Sequence, residues 1–257
     1  MNGGGPVATP SRAAYKRCNM SHALPQNPVF CALDTVDLRQ ALEWARAVKP
    51  FVGGLKVGME FFNANGPDGV RAVVGVGVPV FLDLKLHDIP NTVAGGIRGL
   101  TSLGVAITNI HTSGGFAMMR AAADEARKGG GRMKIIGVTI LTSLDQSDLR
   151  AVGMNGTPEE QVMRLAQLAK DAGLDGVVCG SHEIAPLRTA LGREFMLVVP
   201  GIRPAGASLA DQKRVMTPFE ARALGADILV VGRPITAAAD PAAAARAIHD
   251  ELFPRAA

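Results

Sequence analysis

The sequence predicts a single (β/α)8 (TIM) barrel, and three observations lead to this fold class. Eight apolar, strand-like runs recur from Val29 onward, amphipathic segments of helical period lie between them, and no glycine-rich dinucleotide turn follows the first run. Because the runs are almost continuously apolar, the strands should be parallel and buried on both faces. A doubly wound open sheet is the alternative.

Short apolar runs mark the predicted strands, which span residues 29–34, 53–59, 79–86, 105–111, 134–142, 175–180, 195–201 and 227–232. Apolar side chains at helical spacing mark the segments 38–45 and 162–169. Helix starts are signalled by capping boxes at Thr157 and Thr217, each followed by proline and then two residues later by glutamate. Asp240, followed by proline, opens the last helix.

The chain divides into a leader and one barrel. Residues 1–27 are rich in glycine, proline, serine and asparagine and show no period, which predicts a disordered or loosely attached leader. Met20 is an alternative start of the chain. No break in composition divides residues 28–257, so this range is predicted to form the barrel domain.

Composition narrows the class of function. Aromatic residues make up only 4%, which argues against a stacking platform for single-stranded nucleic acid. The net charge of +4 comes from scattered basic residues, a pattern that favours small anionic ligands over nucleic acid. Of the three cysteines, Cys18, Cys31 and Cys179, the last two lie in apolar runs and indicate reduced thiols of a cytoplasmic protein. Neither a membrane span nor a signal peptide is evident.

The third strand, residues 79–86, alternates between leucines and charged residues. Its three leucines lie on one face, whereas Asp83 and Lys85 lie on the other. Asp88 follows closely, and Pro90 is placed to begin a helix. Two acids and a lysine this close together are costly unless a ligand or a reaction uses them. The alternative is a satisfied ion-pair network that caps the strand.

Charged or hydroxyl side chains stand at most of the predicted strand ends, where the chemistry of such a barrel collects: Asp34, Lys56, Asp83, Lys85, His111, Thr142, Ser143, Arg203 and Arg233. Gly232 allows close backbone approach, and Arg233 offers a fork that suits phosphate. The segment 203–212, with Gln212, resembles a lid. For Arg233 the alternative is a surface salt bridge, and for the segment 203–212 it is an ordinary mobile loop. His111 could be a catalytic base, and its alternative is a structural hydrogen bond. No cluster has metal-ligand spacing.

The run Asp83-Leu84-Lys85-Leu86-His87-Asp88-Ile89-Pro90-Asn91-Thr92 resembles the signature of the orotidine 5′-phosphate decarboxylases, enzymes that make UMP in pyrimidine biosynthesis. The resemblance extends over nearly the whole chain from residue 29. It includes Ala32-Leu33-Asp34, Leu55-Lys56-Val57-Gly58, His111-Thr112-Ser113-Gly114-Gly115, Leu141-Thr142-Ser143, Pro200-Gly201-Ile202-Arg203-Pro204 with Gln212, and Val231-Gly232-Arg233-Pro234-Ile235.

This resemblance implies a homodimer that uses no cofactor and no metal. Lys85 would protonate C6 of the pyrimidine, with Asp83 and Asp88 as the other catalytic residues. Asp88 and Thr92 would reach the partner's site. The remaining substrate-binding residues would be Asp34 and Lys56 at the ribose, Thr142 and Ser143 at the pyrimidine, and Pro200, Arg203, Gln212, Gly232 and Arg233 toward the phosphate.

Two other functions compete with this interpretation. A sugar-phosphate decarboxylase or synthase of the same barrel superfamily would share the core D-x-K-x-x-D but act through a Mg²⁺-stabilised enediolate. The run that ends at Thr92, together with Arg203 and Gln212, favours the orotidylate reaction. A non-catalytic phosphate-binding barrel would keep Arg233 but would have no use for Lys85 between two acids.

Overall fold

The structure, a computed structural model, describes residues 25–204 and 216–254. Its eight strands form one closed, parallel barrel in which each strand pairs with the next in sequence and the last pairs with the first. The strands are β1 Val29–Ala32, β2 Gly54–Gly58, β3 Val80–Leu86, β4 Ile107–His111, β5 Lys134–Val138, β6 Gly176–Val178, β7 Met196–Pro200 and β8 Ile228–Val231. The predicted (β/α)8 barrel is therefore confirmed.

The helices lie between the strands in the order that the sequence predicts. They are α1 Leu38–Val48, α2 Met59–Val74, α3 Pro90–Thr101, α4 Gly115–Lys128, α5 Gln146–Ala151, α6 Pro158–Asp171, α7 Ile184–Leu191, α8 Pro218–Leu224, α9 Arg233–Thr236 and α10 Pro241–Leu252. Short 3-10 turns occupy Lys49–Phe51, Thr112–Gly114 and Ser181–Glu183. Among the described helices, none is both long and apolar enough to span a membrane.

The predicted helix starts are confirmed by their hydrogen bonds. The Thr157 hydroxyl accepts from the Glu160 amide, and the Glu160 carboxylate accepts in return from the Thr157 amide. Thr217 forms the same capping box at α8, and Asp240 caps α10. Pro90 is the first residue of α3, where its missing N–H costs no helical hydrogen bond.

The fifth strand is shorter than predicted, because the apolar run continues beyond the last residue that pairs in the sheet. β5 ends at Val138, and the Thr139 hydroxyl then donates to the Val178 carbonyl at 2.9 Å. The chain turns over the mouth of the barrel, by which we mean the end where the strands terminate, and reaches α5 through its cap Asp145. Thr142 and Ser143 therefore lie in a loop and not at a strand end.

Two apolar layers hold the barrel together. One lies between the sheet and the helices. The other fills the inside of the barrel and is called the plug below; it consists of Phe30, Ala32, Phe81, Ile107, Ile136, Met196, Val198, Ile228 and Val230. Gly54 makes room for it, since a Cβ there would lie 2.4 Å from the Phe30 ring. The plug forms the floor on which the polar residues of the mouth stand.

The predicted leader lies outside the described residues up to residue 24. Directly before β1, the Asn27 amide donates to the Phe51 carbonyl at 2.8 Å, and its oxygen accepts from the Val29 amide at 3.0 Å. Residues 205–212 of the predicted lid, with Gln212, also lie outside the described residues. At the base of that segment the Arg203 amide donates to the Met216 carbonyl at 3.1 Å.

Candidate active site

A cavity of about 330 Å³ opens at the mouth of the barrel. Most of the predicted site residues line it: Asp34, Lys56, Asp83, Lys85, Thr142, Pro200, Arg203, Gly232 and Arg233. Its floor is apolar and includes Phe81, Val198 and Val230 of the plug. A volume of this size, with an apolar floor and a few convergent polar groups, is typical of a small-molecule site.

Four side chains of alternating charge cross the cavity, and we call them the charge chain: Asp34, Lys56, Asp83 and Lys85. The Lys56 ammonium lies 3.0 Å from an oxygen of Asp34 and 3.6 Å from one of Asp83. The Lys85 ammonium lies 2.6 Å from the other oxygen of Asp83. The Asp83 side chain is only 14% exposed, whereas that of Asp34 is 56% exposed. The charge chain therefore runs from solvent at Asp34 inward to Asp83.

The Asp83 carboxyl is held in its charged form. Burial raises its pKa, but the charges of Lys56 and Lys85 and hydrogen bonds from Lys85 and Asn109 outweigh burial and leave the pKa below its usual value. Because the pKa is lowered in the folded state, this carboxylate stabilises the fold above the unfolded pKa of about 4. The contribution is lost as pH falls through the folded pKa.

We expect Asp83→Asn to lower the free energy of unfolding by about 3 kcal/mol near pH 7, because it leaves buried Lys56 and half-buried Lys85 less well compensated. The difference from the wild type should shrink as pH falls below about 4. Urea unfolding between pH 3 and pH 7 measures it. Asp68→Asn is the matched control, since its ion pair with Arg71 is exposed and should contribute less than about 1 kcal/mol. A difference that stays constant with pH would contradict the assignment.

Lys85 reaches its position through an irregular backbone. Its φ is +54°, and within the described part of the chain Lys85 is the only non-glycine residue with a positive φ. Leu82 pairs with Thr108 and Leu86 with Ile110, so β3 carries extra residues opposite β4 at this point. Such a bulge turns a side chain toward a new direction. The predicted inward direction of Lys85 is found, although regular alternation alone does not produce it.

Asn109 is a residue of the site that the sequence analysis missed. Its amide nitrogen donates to Asp83 Oδ1 at 2.7 Å, and its oxygen accepts from the backbone amide of Lys85 at 2.7 Å. Asn109 is 1% exposed and lines the cavity. One signal for it was present: strand alternation places Asn109 on the same inner face as Ile107, where a polar side chain needs partners.

The part of the cavity lining that follows β7 and β8, next to Asp34, offers two guanidinium groups. Arg203 follows β7 and is 6% exposed, and Arg233 begins α9 directly after β8. Directly before Arg233 the backbone is open at Gly232, where a Cβ would lie 3.5 Å from the Ala32 Cβ and 3.8 Å from Asp34 Oδ2. This end of the cavity suits a phosphate group, which arginine binds in a bidentate manner.

Three predicted site residues do not line the cavity of the single chain. Ser143, Asp88 and Thr92 are exposed and absent from the lining. The Asp88 carboxylate accepts from the Ile89 amide at 2.6 Å, and Ile89 itself is 66% exposed. A carboxylate, a hydroxyl and a large apolar side chain thus stand together on the surface beside the mouth.

Other reactive groups contribute less. The His111 ring lies 5.5 Å from that of His87, outside the lining; burial and then the charges of His87 and Lys85 lower its pKa. Cys31 and Cys179 are buried free thiols, and burial raises the pKa of Cys31 to about 12, so it is not a thiolate nucleophile. Within the described ranges, no three acidic, histidine or cysteine side chains are grouped for a metal ion.

Comparisons of the chain with family models and with known proteins both find matches. Residues 27–248 match the family model described as Orotidine 5′-phosphate decarboxylase / HUMPS family. The chain is 53% identical over 231 residues to the orotidine 5′-phosphate decarboxylase of Paramagnetospirillum magneticum, covering 88% of this chain and 98% of the relative. It is 52% identical over 235 residues to that of Rhodospirillum rubrum, covering 89% and 95%.

A solved structure agrees with these relatives. The crystal structure of orotidine 5′-phosphate decarboxylase from Lactobacillus acidophilus superposes with a TM-score of 0.77 at 38% sequence identity. The match covers 89% of this chain and all of the other. The likeness therefore extends over the whole barrel.

Proposed function

The chain belongs to the orotidine 5′-phosphate decarboxylase / HUMPS family, and from this premise we propose how the residues of its site share the reaction. The chain converts orotidine 5′-phosphate to UMP and CO2 in pyrimidine biosynthesis. The observation that carries the assignment of roles is the 2.6 Å contact of the Lys85 ammonium with Asp83, which is partly buried within the charge chain.

Lys85 stabilises the carbanion and then protonates it. Loss of CO2 from C6 leaves an electron pair in the plane of the ring, where no carbonyl is placed to delocalise it. An ammonium at about 4 Å attracts this charge by about 4 kcal/mol at an effective dielectric of about 20. The proton then passes from Lys85 Nζ to C6. Since enzymes supply roughly 8–23 kcal/mol, other contacts must contribute.

Asp83 contributes by holding the ammonium and by opposing the substrate carboxylate. A substrate whose C6 lies at Lys85 brings its carboxylate close to Asp83, which is 2.6 Å from that ammonium. Repulsion between the two carboxylates raises the ground state and is relieved as CO2 departs. The lowered pKa of Asp83 supports this role, because the carboxyl stays charged.

The remaining residues bind parts of the substrate that do not react. Asp34 and Lys56 hold the ribose hydroxyls, and Thr142 and Ser143 contact the pyrimidine. The contact from Ser143 requires the loop after β5 to move inward, because Ser143 does not line the cavity. The residues toward the phosphate are Pro200, Arg203, Gln212, Gly232 and Arg233. Binding of the remote phosphate offsets the cost of the crowded carboxylates, so these contacts belong to catalysis as well as to affinity. A lid of residues 203–212 excludes water when the phosphate is bound.

The working unit is a homodimer in which each site is completed by the other chain. Asp88 of the partner subunit flanks Lys85, and Thr92 of the partner subunit contacts the substrate. The exposure of Asp88 and Thr92 in the single chain, next to exposed Ile89, supports this arrangement. The protein works in the cytoplasm, in keeping with its buried free thiols.

The reaction needs no metal ion or cofactor, and decarboxylation of orotidine 5′-phosphate followed by absorbance tests this. We expect the same rate with and without EDTA, because a lysine ammonium supplies the positive charge. A sugar-phosphate enzyme with a Mg²⁺-stabilised enediolate would lose its activity on chelation. Collapse of the rate in EDTA, restored by added Mg²⁺, would contradict the proposal.

A further inference from the structure

We propose that Asn109 is a positioning residue for the decarboxylation, because its one side-chain amide fixes both the Asp83 carboxylate and the backbone of Lys85. This inference rests on the proposed roles of those two residues. Asn109 lies on β4, the neighbour of the strand that carries them. It acts on the reaction through Asp83 and Lys85.

The two hydrogen bonds determine the orientation of the amide. The backbone N–H of Lys85 can only donate, so the atom 2.7 Å from it must be the amide oxygen of Asn109. The amide nitrogen then faces Asp83 Oδ1 at 2.7 Å. The same carboxylate oxygen accepts from the Lys85 ammonium at 2.6 Å. Asn109, Asp83 and Lys85 thus form a closed ring of three hydrogen bonds.

The ring lies where the sheet offers no regular support. The β3–β4 pairing is interrupted between Leu82 and Leu86, and Lys85 has a left-handed φ of +54°. Such a backbone is strained and persists only where the surroundings hold it. The Asn109 oxygen takes the Lys85 N–H in place of a strand carbonyl. Since Asn109 is 1% exposed, water cannot readily take over either bond.

An asparagine is suited to this place because it combines a donor and an acceptor on one short, rigid group. A leucine of similar shape would leave the Lys85 N–H without its acceptor and Asp83 without one donor. We expect the backbone to relax and the ammonium to move away from its position near C6. A displacement of about 1 Å from productive geometry can cost about 100-fold in rate.

The test compares Asn109→Leu and the milder Asn109→Ser with the matched control Thr108→Val. Thr108 is the neighbouring buried residue of β4, and its hydroxyl donates to the Leu82 carbonyl at 2.9 Å, so its replacement also removes a hydrogen bond to β3. We expect kcat to fall about 100-fold in Asn109→Leu and about 10-fold in Asn109→Ser, with KM and UMP affinity changed less than about threefold. Thr108→Val should keep the wild-type kcat.

The pH profile separates positioning from a loss of folded protein. Without the Asn109 donor, the pKa of Asp83 should rise, which moves the acidic limb of kcat to higher pH in both Asn109 variants. Because the folded fraction itself changes with pH, circular dichroism measures it at each pH and kcat is expressed per folded protein. If Asn109→Leu does not fold, the kcat and pH profile of Asn109→Ser decide the question. Wild-type kcat or an unmoved acidic limb in Asn109→Ser would overturn the inference.

Lys85→Ala, measured alongside, distinguishes the two levels of the argument. If Lys85→Ala is inactive and the Asn109 variants behave like the wild type, only the positioning role fails. If Lys85→Ala retains substantial decarboxylation, the proposed chemistry itself fails, whatever the Asn109 variants do.

Discussion

Lys85→Ala should lower kcat by about 10⁴-fold or more while a UMP-like ligand still binds. The variant removes both the charge that attracts the carbanion and the proton that replaces CO2. The proposed contacts to the nucleotide lie elsewhere in the cavity lining, at Asp34 and Lys56 and at Arg203 and Arg233. We expect the dissociation constant of UMP, measured by calorimetry, to change less than about tenfold.

The control for this variant is Lys49→Ala. Lys49 is exposed, and its ammonium donates to the Val76 carbonyl at 2.7 Å, away from the cavity lining. Its replacement should leave kcat and KM unchanged. Loss of UMP binding together with loss of turnover in Lys85→Ala would indicate a collapsed site. Residual decarboxylation within about 100-fold of the wild type would remove Lys85 from the chemistry.

Mixing two inactive variants, Lys85→Ala and Asp88→Ala, should restore activity. If each site combines Lys85 of one chain with Asp88 of the partner subunit, a mixed dimer has one site that lacks both residues and one intact site. When subunits exchange freely at equal amounts, half of the dimers are mixed. The expected activity is therefore about a quarter of the wild type.

A second mixture tests whether recovery requires that the two missing residues come from different chains. Asp83 and Lys85 are in contact within one chain, so mixing Asp83→Ala with Lys85→Ala leaves every site with one defect. No activity should return there. Mass spectrometry of the mixed dimers measures the exchange itself. Complete exchange without recovery in the Lys85→Ala and Asp88→Ala mixture would contradict a site shared between chains.

The inner face of the barrel was predictable from the sequence because strand alternation is a strong, local signal. Asp34, Lys56 and Asp83 were predicted to face the mouth, and the structure places all three in the cavity lining. The length of β5 was predicted wrongly, since apolar residues continue beyond Val138 into a loop that covers the mouth. An apolar run alone does not show where the strand ends, because Ile140 and Leu141 continue the pattern although Ile140 is only half-buried and Leu141 is exposed.

Asn109 and the backbone of Lys85 could not be predicted in the same way. A single asparagine within an apolar strand carries no charge pattern, and its role depends on a neighbour on another strand. The left-handed φ of Lys85 comes from an irregular pairing of β3 with β4, which depends on how two distant segments meet. The role of Asp88 cannot be read from one chain, because it is proposed to act in the site of the partner subunit.

The plug determines the route by which substrate and products enter and leave the cavity. The plug fills the inside of the barrel with closely packed side chains, so among the described residues the cavity above Phe81 opens only at the mouth. Substrate, gas and nucleotide product must all pass through it.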